Sequence, residues 1–248
     1  MILDQLKDSL RKRSSLNFKF DNWSRVVKYR WALKPLSAEG STLTDAGGRF
    51  NIGDIDPNRF PAFPALYLGE DAETALKEVF GKKPQQKGLD ALDFSLTNPD
   101  SYSLVRVQGQ LEMVLDLTHM ENLRDYFELI KKIKFPKYVE TTAKILKLQK
   151  PRTIKNLSEL KKSLLEPNWR IFPMQYDIPA NSQILGQIVE NAGIQGVLYL
   201  SVQGGKKCLA VFPRNLENST AFVQLMDPLP EGTNIESKLD MNSWKKLV

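Results

Sequence analysis

The chain has 248 residues, 42% hydrophobic and 26% charged, with 35 Lys+Arg against 29 Asp+Glu and a pI near 9.2. That length suits one large domain able to bury its own core, and the composition excludes a disordered chain. A lone cysteine, Cys208, and a lone histidine, His119, exclude an internal disulfide framework and argue against a Cys/His zinc site; a Ser-His-Asp triad would need His119 as its base.

No apolar run approaches the roughly 20 residues that span a membrane. The opening MILDQLKDSLRKRSS sets charges among its apolar residues and has no signal-peptide core, so a soluble cytoplasmic protein is expected. The positive charge is localised. Residues 118–170 carry thirteen basic side chains against six acidic, and residues 1–30 carry eight against three, so two basic segments are attached to an acidic body.

In chain order, Ile2, Leu3, Leu6 and Leu10 recur at helical spacing and predict an amphipathic helix and polar joint over 1–22. VVKYRWAL at 26–33 predicts a strand, followed by a polar loop ending in Gly47-Gly48-Arg49-Phe50-Asn51. Ala65–Leu68 reads as a strand. Asp71 caps a predicted helix over 72–80, with Ala75, Leu76 and Val79 towards the core. Residues 102–107 and 113–117 read as two strands with a turn at Gly109.

Thr118 and Glu121 then suggest a capping box, with His119 in the first turn of a helix whose apolar face is Leu123, Tyr126, Phe127, Ile130 and Ile133. Further helices are predicted over 139–149 and 157–165, so 118–182 looks like a basic helical insertion in an α/β domain. A helix carrying Ile184, Leu185, Ile188 and Val189 comes next and ends at Gly193. Strands at 197–201 and 209–212 flank a Gly204-Gly205 turn, and a last strand is predicted at 221–225.

The chain contains no P-loop, no G-x-G-x-x-G fingerprint, no H-E-x-x-H and no C-x-x-C. Chemistry built from the remaining Arg, Glu, Tyr and Ser would rest on positioning and charge stabilisation. Three stretches fit such a site. Tyr29-Arg30-Trp31 with Gly47–Asn51 offers guanidinium forks and close backbone approach for phosphate. Glu78, beside the apolar face of its helix, can stand at the edge of a cleft. Ser201 offers a hydroxyl near a strand end. Taken singly, each reads more simply as a surface charge, a turn, a solvated helix face or a core ring. Their order raises them.

Tyr29-Arg30, GGRFN at 47–51, ALYLGEDAETALKEV at 65–79, GVLYLSV at 196–202 and CLAVF at 208–212 together resemble the RES domain family, named for its arginine, glutamate and serine. The resemblance covers roughly 26–117 and 183–213. It matches the family's arginines to Arg30 and Arg49, its tyrosine to Tyr67, its glutamate to Glu78 and its serine to Ser201. The basic segment between the two halves departs from compact members.

The resemblance implies an α/β (α+β) fold over 1–248, similar to ADP-ribosyltransferase toxins, with a split central sheet and flanking helices. It also implies an enzyme that consumes NAD as substrate without a metal, as a glycohydrolase, a phosphorylase or an ADP-ribosyltransferase acting on a protein, and so arrests growth. On this reading Glu78 stabilises positive charge on the ribose, Arg30 and Arg49 hold the pyrophosphate, Tyr67 walls the nicotinamide pocket and Ser201 orients Glu78 or a ribose hydroxyl. Gly48 and Asn51 complete the binding loop. An Xre-type antitoxin and a target protein are the implied partners, and the basic N-terminal helix separately suggests contact with a second copy of the chain. The alternative is a non-catalytic module that binds nucleic acid or docks a protein through the basic segment. Nucleic-acid binding is the weaker form, because Tyr126 and Phe127 fall on one packing face.

Overall fold

The computed structural model describes residues 2–44, 46–81, 102–133, 141, 144, 145 and 153–248. The helix expected over 139–149 lies outside them except at 141, 144 and 145, which are helical. The described elements are α1 (Ile2–Arg13), β1 (Ser15–Lys28), β2 (Leu66–Gly69), α2 (Ala72–Phe80), β3 (Tyr102–Asp116) and α3 (Arg124–Ile130). They continue with α4 (Leu157–Leu164), α5 (Ile171–Tyr176), α6 (Asn181–Asn191), β4 (Gly196–Leu200), β5 (Lys207–Val211), β6 (Phe222–Leu225) and β7 (Lys238–Leu239).

The sheet is organised around β3. One edge of β3 pairs antiparallel with β1 from Ser15↔Val114 to Lys28↔Tyr102. The other edge is shared: β6 pairs antiparallel opposite 107–110, and β4 pairs parallel opposite 114–116. One leaf then continues to β7, and the other runs β4–β5–β2 with antiparallel pairing. A single bridge, Ser24↔Gly69, joins β2 back to β1 and closes five strands into a ring. The mixed α/β architecture with helices flanking a divided sheet is therefore present.

Both faces of the second leaf are buried, which explains its nearly continuous apolar sequence. Tyr67, Val197, Tyr199, Cys208 and Ala210 join the core beneath α1, α3, α4 and α6, while Leu66, Leu68, Leu198, Leu209 and Val211 join the opposite core with Trp23, Val107 and Val223. Each fully buried Leu or Val contributes about 1.5–3 kcal/mol to that packing.

Several expectations need correction. The N-terminal helix ends at Arg13 and gives way to a 14-residue strand. Leu16, Phe18 and Phe20 alternate with polar residues, a two-residue period. Asn17 and Asn22 adopt positive φ (58° and 54°), and a register shift between Phe20 and Trp23 breaks the alternation. The strand expected over 26–33 stops after Lys28 at a 3-10 turn, Tyr29–Trp31.

β3 is one strand without a turn at Gly109. A Cβ there would lie 2.4 Å from the Phe222 carbonyl oxygen and 2.6 Å from the Phe20 ring, so this glycine serves close approach. The Thr118–Glu121 box is also absent. Thr118 donates from its amide and hydroxyl to Asp116 Oδ1, and a 3-10 turn at Met120–Leu123 leads into α3. Leu123, Tyr126 and Phe127 pack in the core as expected, but Ile133 is exposed.

Candidate active site

Segments from across the chain enclose a cleft of about 350 Å³. Its walls include Arg25 of β1, Gly47–Arg49 of the loop, Tyr67 of β2, Glu78 and Val79 of α2, Tyr199 of β4, and Pro167, Trp169 and Arg170 from the basic segment. The volume falls in the range of small-molecule sites.

Glu78 reaches the cleft because Asp71 starts α2 in register. The Asp71 carboxylate accepts the Thr74 amide at 2.8 Å, and the helix places Thr74 and Ala75 inward. Glu78 is half-buried; Val79, expected in the core, is instead exposed at the cleft wall. Ser201, 4% exposed, donates its hydroxyl to Glu78 Oε1 at 2.5 Å and accepts the amides of Gln203 (3.1 Å) and Gly204 (3.0 Å). The carboxylate is thus held by a hydroxyl that is itself oriented by two N–H donors.

The loop at 47–51 is fixed from within. Tyr67 donates its hydroxyl to Asn51 Oδ1 at 2.8 Å and accepts the Phe50 amide at 2.9 Å. Burial pushes the Tyr67 phenol pKa up, with Arg49 and Arg170 opposing, so it remains a donor. Asn51 Nδ2 donates to the Ser41 carbonyl at 2.9 Å. Phe50 is fully buried with its ring 5.0 Å from Tyr199. Gly48 has no room for a side chain: a Cβ would lie 2.4 Å from both Tyr67 Oη and Asn51 Oδ1.

Gln183, at the start of α6, carries no motif signal beyond a helix-capping position, yet it anchors this loop. Its Nε2 donates to the carbonyls of Ala46 (2.6 Å), Gly48 (3.0 Å) and Asn51 (2.9 Å), while Oε1 accepts the Ala180 amide. Gly186, one turn further on, lets α6 approach the loop; a Cβ there would meet the Phe50 carbonyl oxygen at 2.0 Å.

The structure brings Gly48, Arg49, Asn51, Tyr67, Glu78 and Ser201 together around the cleft and its supporting shell. It does not bring Arg30 there. That side chain is exposed on the 3-10 turn after β1, whose neighbour Trp31 packs over Gly40. The β1 guanidinium that lines the cleft is Arg25. Its nitrogens donate to the carbonyls of Pro35 (2.8 Å), Tyr67 (3.3 Å) and Ser37 (2.7 Å), and burial lowers its pKa to about 10, so it stays cationic at neutral pH. His119 lies outside the lining, exposed, 3.8 Å from Asp116. Among the described residues, no cluster of three or more His, Cys, Asp or Glu side chains is placed to hold a metal ion, and no helix is long and apolar enough to cross a membrane.

The family model of the RES domain matches residues 22–230. The chain belongs to the RES domain family. The RES match spans both halves of the cleft and the basic segment between them. Among curated proteins none matches the sequence. Among solved structures, this RES chain is similar to a chain in the crystal structure of the M. tuberculosis MbcT–MbcA toxin–antitoxin complex, with TM-score 0.52 and 16% identity, covering 100% of this chain and 98% of that one. At that identity the likeness concerns the fold. Within this RES fold the basic segment is no appendage: α3 and α4 pack into the same core as β4 and β5, and its Glu166 carbonyl accepts Arg49 Nη1 at 2.9 Å. Tyr126, Phe127 and Trp169 are buried, which removes them as stacking platforms for nucleic acid.

Proposed function

We propose that this RES protein is the toxin of a toxin–antitoxin pair and consumes NAD by breaking the bond between nicotinamide and ribose. The observation that carries the reading is the Glu78 carboxylate, oriented by Ser201 and set in a cleft whose other charged groups, among the described residues, are the guanidiniums of Arg25, Arg49 and Arg170. As the C–N bond breaks, its electron pair leaves with nicotinamide, which departs neutral, and positive charge develops on the ribose. Glu78 stabilises that charge and accepts from a ribose hydroxyl. Tyr67 and Tyr199 wall the ring pocket, and Arg49 attracts the phosphates. Water, inorganic phosphate or a protein side chain then takes the ribosyl carbon.

An antitoxin partner is supported by the kind of complex in which the structural neighbour was solved. Phe172, Met174 and Tyr176, exposed just beyond the cleft residue Arg170, offer apolar surface for a protein that covers the mouth. The test is nicotinamide release from NAD by the purified protein, with and without phosphate. Wild type should release it and Glu78→Ala should not; equal release by the two would overturn the assignment. Faster release in phosphate identifies a phosphorylase.

A further inference from the structure

Two guanidinium groups of the cleft converge on one indole ring. The Arg170 guanidinium carbon lies 4.8 Å from the Trp169 ring centroid, and that of Arg49 lies 5.8 Å from it. Trp169 is buried, so the ring is a fixed platform, whereas Arg170 is exposed where it lines the cleft. Arg49 is only 6% exposed; its Nη1 is used by the Glu166 carbonyl, but its Nε is buried without a partner. Among the described residues no carboxylate forms an ion pair with Arg170. Glu78, whose charge it feels, is already engaged by Ser201. Shielding by the cleft walls lowers the Arg170 pKa, and the charge of Arg49 lowers it further, with Glu78 opposing. Arg25 cannot fill the same role, because its nitrogens are committed to three carbonyls.

Two like charges, an unmatched buried donor and a rigid aromatic wall make a site that is incomplete without an anion. We propose that Arg170, with Arg49 and Trp169, forms a pyrophosphate subsite, so that the basic segment supplies a substrate-binding residue of its own. The identity of the dinucleotide rests on the NAD reading of the cleft; the anion chemistry does not. Guanidinium forks pair with phosphoryl oxygens, and two of them match the two charges of a pyrophosphate diester. Arg170 is a substrate-binding residue in this assignment, and Trp169 positions it.

The test uses the full chain and two probes, ADP and adenosine, titrated by calorimetry into wild type, Arg170→Gln and Arg170→Lys. Wild type should bind ADP more tightly than adenosine. Arg170→Gln should weaken ADP by about tenfold or more and leave adenosine unchanged, with Arg170→Lys between them because lysine keeps the charge but loses the fork. In nicotinamide release, the KM for NAD should rise in Arg170→Gln by a similar factor with kcat little altered. Equal ADP affinity in wild type and Arg170→Gln would overturn the subsite, as would wild type binding adenosine as tightly as ADP. If wild type releases no nicotinamide yet Arg170→Gln loses its preference for ADP, the cleavage reading falls and the subsite stands. If release continues in Arg170→Gln with an unchanged KM, the subsite falls and the cleavage reading stands.

Discussion

Replacing Ser201 with alanine isolates the contact on which the catalytic reading turns. The hydroxyl makes three bonds: one donated to Glu78 at 2.5 Å and two accepted from the Gln203 and Gly204 amides. A hydrogen bond to a charged group contributes about 1.5–3 kcal/mol. If that energy holds Glu78 in place as charge develops on the ribose, its loss lowers kcat by about 10- to 100-fold. KM should change little, because the hydroxyl is spent on Glu78 and the turn. The two amides lie in a surface turn where water can replace Oγ, so stability should fall by only about 1 kcal/mol, or 2–4 °C in Tm at this chain length. The assay is nicotinamide release with kcat and KM measured separately, alongside thermal unfolding. In a double-mutant cycle, Ser201→Ala should cost almost nothing further in a Glu78→Gln background, because the two side chains act as one unit. A folded Ser201→Ala protein with kcat within about twofold of wild type, or losses that multiply in the double variant, would refute the reasoning.

Gln183→Leu leaves three loop carbonyls without their donor, and should cost about 3 kcal/mol or more, seen as a Tm drop of roughly 10 °C. Gly48→Ala drives a methyl to 2.4 Å from Tyr67 Oη; it should displace the loop and abolish nicotinamide release even where folded protein is recovered. Asp71→Ala removes the α2 cap and should cost about 1 kcal/mol at neutral pH. For Asp71, burial pushes the carboxyl pKa up, but hydrogen bonds from Lys206 and Thr74 outweigh it and hold the pKa at about 2 against an ordinary 3.8. A depressed acid pKa stabilises the fold above 3.8 and ceases to do so as pH falls towards 2. The stability gap between wild type and Asp71→Ala should therefore narrow over that interval in acid-unfolding measurements. A gap that is constant from pH 7 to pH 2 would contradict this.

Local signals carried much of the fold. Asp71 and the spacing of Ala75 gave α2, the glycines at 193 and 205 marked real positive-φ turns, and the two-face burial of β4 and β5 appeared as unbroken apolar runs. Where two periods overlapped, the reading went astray. Residues 16–20 fall in the stretch read as a helix and polar joint over 1–22, although their two-residue alternation is that of a strand. At the site, the ordered Arg-Tyr-Glu-Ser set was legible because each member sits in a motif of its own. Gln183, Trp169, Arg170 and Arg25 were not, because nothing local distinguishes them: their roles arise from contacts such as Gln183 to Gly48, 135 positions apart. Arg30 shows the reverse problem, a conspicuous residue next to an aromatic that the chain turns outward just after β1 ends.

The distance along the chain between Glu78 and Ser201 also bears on biosynthesis. Made from the amino end, α2 and its acid emerge 123 positions before the hydroxyl that holds it, and β2 waits for β5 to supply its antiparallel partner. Pairing over such separations is slow, since a long loop must close before any contact repays it. A nascent chain halted anywhere before Ser201 lacks the finished hollow. The cleft is therefore complete only after most of the chain has left the ribosome.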